Sequence, residues 1–112
     1  MIPNSYDPGD VFKSLEDAAE EMCDAEALAT QLEEMKKPTL ASLTLEYMAI
    51  EKSRARAETR ALADDRYETH IAGMVDAKRI ANRAKAKYHN MRALADARRT
   101  QEASVRALTR AA

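Results

Sequence analysis

The side chains able to do chemistry are few and scattered. His70 and His89 are the only histidines. Either can serve as a metal ligand or a general base. The positions three and four residues after His70 are Gly73 and Met74, and no carboxylate lies four residues to either side of His89. The two are too far apart on one expected helix to share a metal, and both read more simply as surface or interface histidines. Cys23, the single cysteine, sits between Met22 and Asp24. Acidic neighbours disfavour the thiolate that a nucleophile needs. The paired carboxylates Glu20-Glu21 and Glu33-Glu34 are of the type found in helical di-metal sites, but those sites also need Glu-x-x-His, which does not occur here. A Gly-rich phosphate loop, a Cys-x-x-Cys pair and a nucleophile elbow are missing too. The sequence therefore points to no enzyme, no cofactor and no metal.

Charge is the more informative chemistry. Net charge is −1, yet it is unevenly spread: residues 1–37 carry 10 acidic and 3 basic side chains, residues 66–112 carry 4 acidic and 11 basic. Lys78, Arg79, Arg83, Lys85, Lys87, Arg92, Arg98 and Arg99 form a basic run. At 100° per residue these side chains spread around much of a helix. They could pair with acidic residues of the same chain or a second copy, or meet nucleic-acid phosphates. A dedicated DNA reader is usually net basic with a concentrated patch. The front of the chain supplies an acidic partner face in Glu16, Asp17, Glu20, Glu21, Asp24 and Glu26.

These residues must be positioned by helices. With 2 Gly and 3 Pro in 112 residues, turns are scarce, and Ala, Glu, Lys, Arg, Leu and Met favour helix. The expected fold class is all-α: a long antiparallel helical hairpin or coiled-coil-like bundle with a short connecting helix at its tip, dimeric. Residues 1–6 read as a flexible lead and 7–112 as one helical domain. Asp7 caps the first helix, with Pro8 in its first turn. The stripe Val11, Leu15, Ala18, Met22, Ala25, Ala29 and Leu32 steps alternately by four and three residues, as a coiled-coil seam does. Lys36 and Lys37 suit a helix C-terminus. Pro38 either breaks the helix or kinks a longer one, and the reading adopted is a kinked or briefly broken helix over about 8–51.

Ser53 caps a short connector helix over about 54–63, poor in apolar residues beyond Leu62. Asp65 with Glu68 has capping-box spacing and opens a helix over about 66–109. Its stripe is Tyr67, Ile71, Met74, Ala77, Ala81, Ala84, Tyr88, Met91 and Ala95, drifting to Leu94, Ala97, Gln101, Val105 and Leu108. Val75, Ile80, Met48 and Leu45 remain as apolar edges, so a homodimer or a docked partner is expected. With no secretory leader pattern and no apolar run near 18 residues, the expectation is a cytoplasmic protein without membrane contact.

The stretch from about Leu43 to Leu108 resembles a family of small helical proteins encoded in early regions of tailed bacteriophages, near recombination functions. The matching elements are Leu43-Thr44-Leu45-Glu46, Ser53 with Arg56 and Glu58, Tyr67-Glu68-Thr69-His70-Ile71, Ala77, Ala81-Asn82, Arg99-Thr100-Gln101-Glu102-Ala103 and Arg106-Ala107. Where the family often has an aromatic before the Arg-Thr pair, this chain has Arg98. The resemblance implies an accessory role in phage DNA metabolism and brings no established activity with it. Taken with the basic run, it gives the expectation of a non-enzymatic protein that binds phage or host recombination or replication machinery, with DNA as a candidate further partner. Two alternatives stay open: an inhibitor of a host defence or nuclease complex, and a coiled-coil scaffold or assembly factor.

Overall fold

The structure is a computed structural model and describes residues 8–111. Those residues form four α-helices, and no strand occurs among them: α1 (Pro8–Glu34), α2 (Lys36–Met48), α3 (Arg54–Leu62) and α4 (Asp65–Ala111). The expectations for residues 1–6 and for the Asp7 cap lie outside the described residues.

The first helix stops for a reason visible in the sequence. Pro38 has no N–H to offer the carbonyl of Glu34, and its ring crowds that carbonyl. α1 ends at Glu34 and α2 begins at Lys36, with only Met35 between them. Met35 keeps right-handed dihedrals, φ −81° and ψ −7°. The Met35 N–H donates to the Gln31 carbonyl at 3.1 Å, and the Thr39 N–H to the Met35 carbonyl at 3.0 Å. The interruption is therefore one residue long. Pro38 lies inside the first turn of α2, where a missing N–H matters least. Lys36 and Lys37 open α2 instead of closing α1, which corrects the reading of them as a C-terminal pair. α2 ends at Met48, short of residue 51.

The chain divides into two compact units, one of Met1–Cys23 with Asn82–Ala112 and one of Asp24–Ala81. In the inner unit, Asp24–Ala81, α2 and α3 pack on each other. Ala57 and Ala61 are completely buried, and Leu43 and Thr44 nearly so. Ala57 and Ala61 are four residues apart, so they share one face of α3. The connector thus uses its alanines as its packing face, while Leu62 is 48% exposed. Ser53 caps α3 from extended dihedrals, its hydroxyl accepting from the Arg56 N–H at 3.2 Å. Ala77 and Ala81 of α4 are buried, with Tyr67, Ile71 and Met74 half-buried beside them; from α1, Ala25, Ala29 and Leu32 are half-buried.

In the outer unit, Ala18 of α1 and Ala84 and Ala95 of α4 are buried, and Val11, Leu15, Met22, Tyr88 and Met91 are half-buried. Every position of the α1 stripe is among the least exposed on that helix. On α4 the stripe holds only to Ala95. Residues 96–111 are all exposed, including Val105 (56%) and Leu108 (72%). This corrects the expected continuation of the seam through Ala97, Gln101, Val105 and Leu108. The reason lies in the sequence: seven residues beyond Ala95 stands Glu102, and seven beyond Met91 stands Arg98. Charged side chains occupy both seam rows, and the apolar residues rotate onto another side of the helix.

Among the described residues the buried apolar side chains are alanines and Leu43, and no large side chain is fully buried. Each buried methyl contributes only about 0.8 kcal/mol, so stability is spread thinly along the helices. Phe12, Leu28, Leu45, Ile50, Val75, Ile80 and Leu94 instead point into solvent, each 47% exposed or more. No helix among the described residues is long and apolar enough to cross a membrane.

Candidate macromolecular interface

The isolated chemical residues are not assembled into a reaction centre among the described residues. His70 lies in the inner unit, where its Nε2–H donates to the Leu32 carbonyl, in the last turn of α1, at 2.8 Å. A helix end leaves such carbonyls short of partners, so the imidazole joins two helices. His89 stacks edge-on against its neighbour Tyr88, with centroids 5.6 Å apart. Cys23 is a free, exposed thiol. No group of three or more His, Cys, Asp or Glu side chains able to hold a metal ion occurs among the described residues.

The most concentrated polar chemistry lies where α3 gives way to α4. The Asp64 carboxylate accepts from the Arg66 N–H at 2.8 Å, from the Tyr47 hydroxyl at 2.6 Å, and from the Arg66 guanidinium at 3.1 Å. The Tyr67 and Glu68 N–H groups donate to its carbonyl. Asp64, not Asp65, is therefore the N-cap of α4; Asp65 is the first helical residue, and Glu68 falls one place too late for a capping box. Both aspartates suit the role, but only Asp64 also meets the Tyr47 hydroxyl.

The opposing Arg66 guanidinium, then the Tyr47 hydroxyl, hold the Asp64 carboxyl well below its usual range. The carboxylate in turn raises Tyr47, chiefly through their hydrogen bond, and raises Arg66, which also donates to Glu46 at 2.6 Å. Arg60 lies 5.7 Å from the Tyr47 ring centre and pairs with Glu51 at 3.3 Å. Every charge in this cluster has a partner of the opposite sign. It fixes the turn into α4.

The two charged faces are largely unspent. Glu16, Asp17, Glu20, Glu21, Asp24 and Glu26 are all exposed; among the described residues only Glu21 of these has an ion-pair partner, Lys87 of α4 at 3.1 Å. The eight basic residues singled out in the sequence are likewise all exposed. Arg79 and Arg99 bond to Asp76 and Asp96 one turn back on their own helix. Among the described residues no ion pair engages Lys78, Arg83, Lys85, Arg92 or Arg98. Among the described residues the anticipated pairing between the acidic and basic helices is thus realised at one place, Glu21 with Lys87.

Their arrangement shows an order that a whole-circumference view obscured. Within the outer unit Lys85, Arg92, Arg99 and Arg106 recur every seven residues, about 10.5 Å apart along the helix, each one residue beyond a seam position. Lys78 begins the same series in the inner unit. Arg106 was missing from the basic run because Glu102 and several neutral residues separate it from Arg99 in the sequence. The sevenfold spacing was the signal that would have found it.

Two shallow grooves of about 510 Å³ accompany these faces. One, in the outer unit, is lined by Val11, Phe12, Leu15, Tyr88, Arg92 and Arg99, with Phe12 69% exposed. The other, in the inner unit, lies along Leu40, Ala41, Thr44, Leu45 and Met48 of α2, with Arg54 and Glu58 of α3 at its edge. No family model, curated protein or solved structure matches the chain. Shallow, charged, helical surfaces suit contact with an extended partner better than enclosure of a small molecule.

Proposed function

We propose that this protein acts by binding and not by catalysis: α1 and α4 pair antiparallel as a coiled-coil-like hairpin, and the exposed flank of α4 engages nucleic acid or a protein that handles it. The resemblance to the phage early-region family makes this an accessory role in phage DNA recombination or replication, in the cytoplasm of the host cell. The observation that carries the reading is the evenly spaced, exposed series Lys85, Arg92, Arg99 and Arg106. Only Arg99 of the four has an ion pair among the described residues. An evenly pitched row of cations matches a polyanion, whose charges also repeat along an axis.

Gel-shift titration across salt tests it. Four phosphate contacts give a slope of log K against log salt of about −3 to −4, and Arg92→Glu with Arg99→Glu removes most of the binding. An affinity indifferent to salt, or no binding at about 50 mM salt, would discard nucleic acid as the partner.

A second reading rests on the acidic face. Glu16, Asp17, Glu20 and Asp24 are exposed and without ion-pair partners among the described residues, so the protein could block a basic nucleic-acid channel of a host defence or nuclease complex. A pull-down from host lysate that returns no such component counts against it. The third reading, a self-associating scaffold, is decided by light scattering over concentration.

A further inference from the structure

From Leu94 onward α4 carries a second stripe, apolar but for its centre: Leu94, Ala97, Gln101, Val105 and Leu108. Its steps are three, four, four and three residues. That order reads the same in both directions about Gln101. Leu94 is 55% exposed, Val105 56% and Leu108 72%, and the stripe is covered by nothing in its own unit. On one flank of it stand Arg98 and Glu102, both exposed and neither in an ion pair among the described residues. Arg99 and Arg106 lie roughly 150° away from the stripe, at 100° per residue.

From these features we infer that the stripe is a homodimer interface, in which the C-terminal stretches of two copies pair antiparallel about a two-fold axis through Gln101. A two-fold contact must be self-complementary, and a palindromic spacing is what an antiparallel helix pair of identical sequence requires. The axis sets Leu94 against the partner's Leu108 and Ala97 against the partner's Val105, with the two Gln101 amides meeting at the centre. In antiparallel pairs like flanks face one another. Arg98 then lies beside the partner's Glu102, about 3 Å apart along the axis, and the symmetry makes that ion pair twice. A parallel pair would instead put the two Arg98–Glu102 flanks on opposite sides of the contact, so that neither ion pair forms. The inference names the surface used in self-association and is independent of nucleic-acid binding, since the row containing Arg99 and Arg106 stays outside the interface.

The test is sedimentation of the full chain from about 1 to 200 μM. An interface this short predicts dissociation in the range of about 1–100 μM. Leu108→Glu should leave circular dichroism nearly unchanged and weaken association at least about a hundredfold. Arg98→Glu and Glu102→Arg should each weaken it about tenfold. An equimolar mixture of these two variants should recover the wild-type constant, because both cross-pairs are then of opposite sign while the pairing within each helix stays repulsive. For orientation, in a Cys23→Ser background, Ala97→Cys and Val105→Cys copies should cross-link to each other. A monomer at every concentration, a dimer indifferent to Leu108→Glu, no recovery on mixing, or Ala97→Cys copies that cross-link only among themselves would each overturn the inference.

Discussion

Replacing Gly73 by alanine should make the protein more stable. Gly73 lies in the interior of α4 with ordinary negative φ, and a methyl group built at its Cα meets nothing within 4 Å. The glycine therefore serves neither an unusual backbone angle nor a close approach within the chain. What remains is its conformational freedom in the unfolded state, which disfavours helix by about 1 kcal/mol relative to alanine. With an unfolding entropy of about 2.1 cal/mol/K per residue over roughly 110 residues, that becomes a rise in Tm of about 4–5 °C. The exposed neighbour Ala72 supplies the reverse experiment, Ala72→Gly, which should lower stability by about the same amount. Urea unfolding followed by circular dichroism at several protein concentrations would measure both. A loss of stability on Gly73→Ala, or an effect that grows with dilution, would refute the reasoning: it would mean that another molecule comes close to the Gly73 backbone.

Two further outcomes follow from the packing and from the cap. Ala57→Leu puts a larger side chain into the fully buried contact between α3 and α2 and should cost about 1–3 kcal/mol in urea unfolding, whereas an unchanged midpoint would show that α3 does not pack there. Because the Asp64 carboxyl is held below its usual range, its contribution to stability is full above about pH 4, the unfolded value, and fades as pH falls below it. The raised Tyr47 works in the opposite sense, its contribution present below about pH 10 and fading as pH rises further. Asp64→Asn should flatten the acid limb of a stability–pH profile, and an acid limb identical to wild type would contradict the assignment.

How much could be read beforehand depended on which force decides each feature. The α1 stripe from Val11 to Leu32 was legible because burial follows a fixed period and nothing interrupts it. The all-α class followed from composition, and the edges Leu45, Met48, Val75 and Ile80 are exposed as read. The seam of α4 was legible only to Ala95: counting apolar residues missed that Arg98 and Glu102 had taken over the seam rows. The α3 face was hidden because alanines rank low as apolar residues, yet between close helices Ala57 and Ala61 leave no room for anything larger. The choice of Asp64 over Asp65 could not be made locally, since it rests on Tyr47, which is 17 residues away in the chain. The even pitch of the basic row was present in the letters from the start, but spacing by seven is easily lost in a list that counts charges.

The exposed end of α4 carries Thr100, Ser104 and Thr109, each with its hydroxyl turned back onto the carbonyl four residues earlier. Such bonds slightly weaken a helix, and residues 96–111, all exposed, have no packing in their own unit to offset it. Any molecule that grips this end therefore reinforces a helix that is already formed, and its affinity includes the strengthening of that helix. Affinity there becomes adjustable by changes that touch no partner atom, such as a helix-favouring substitution on the solvent side.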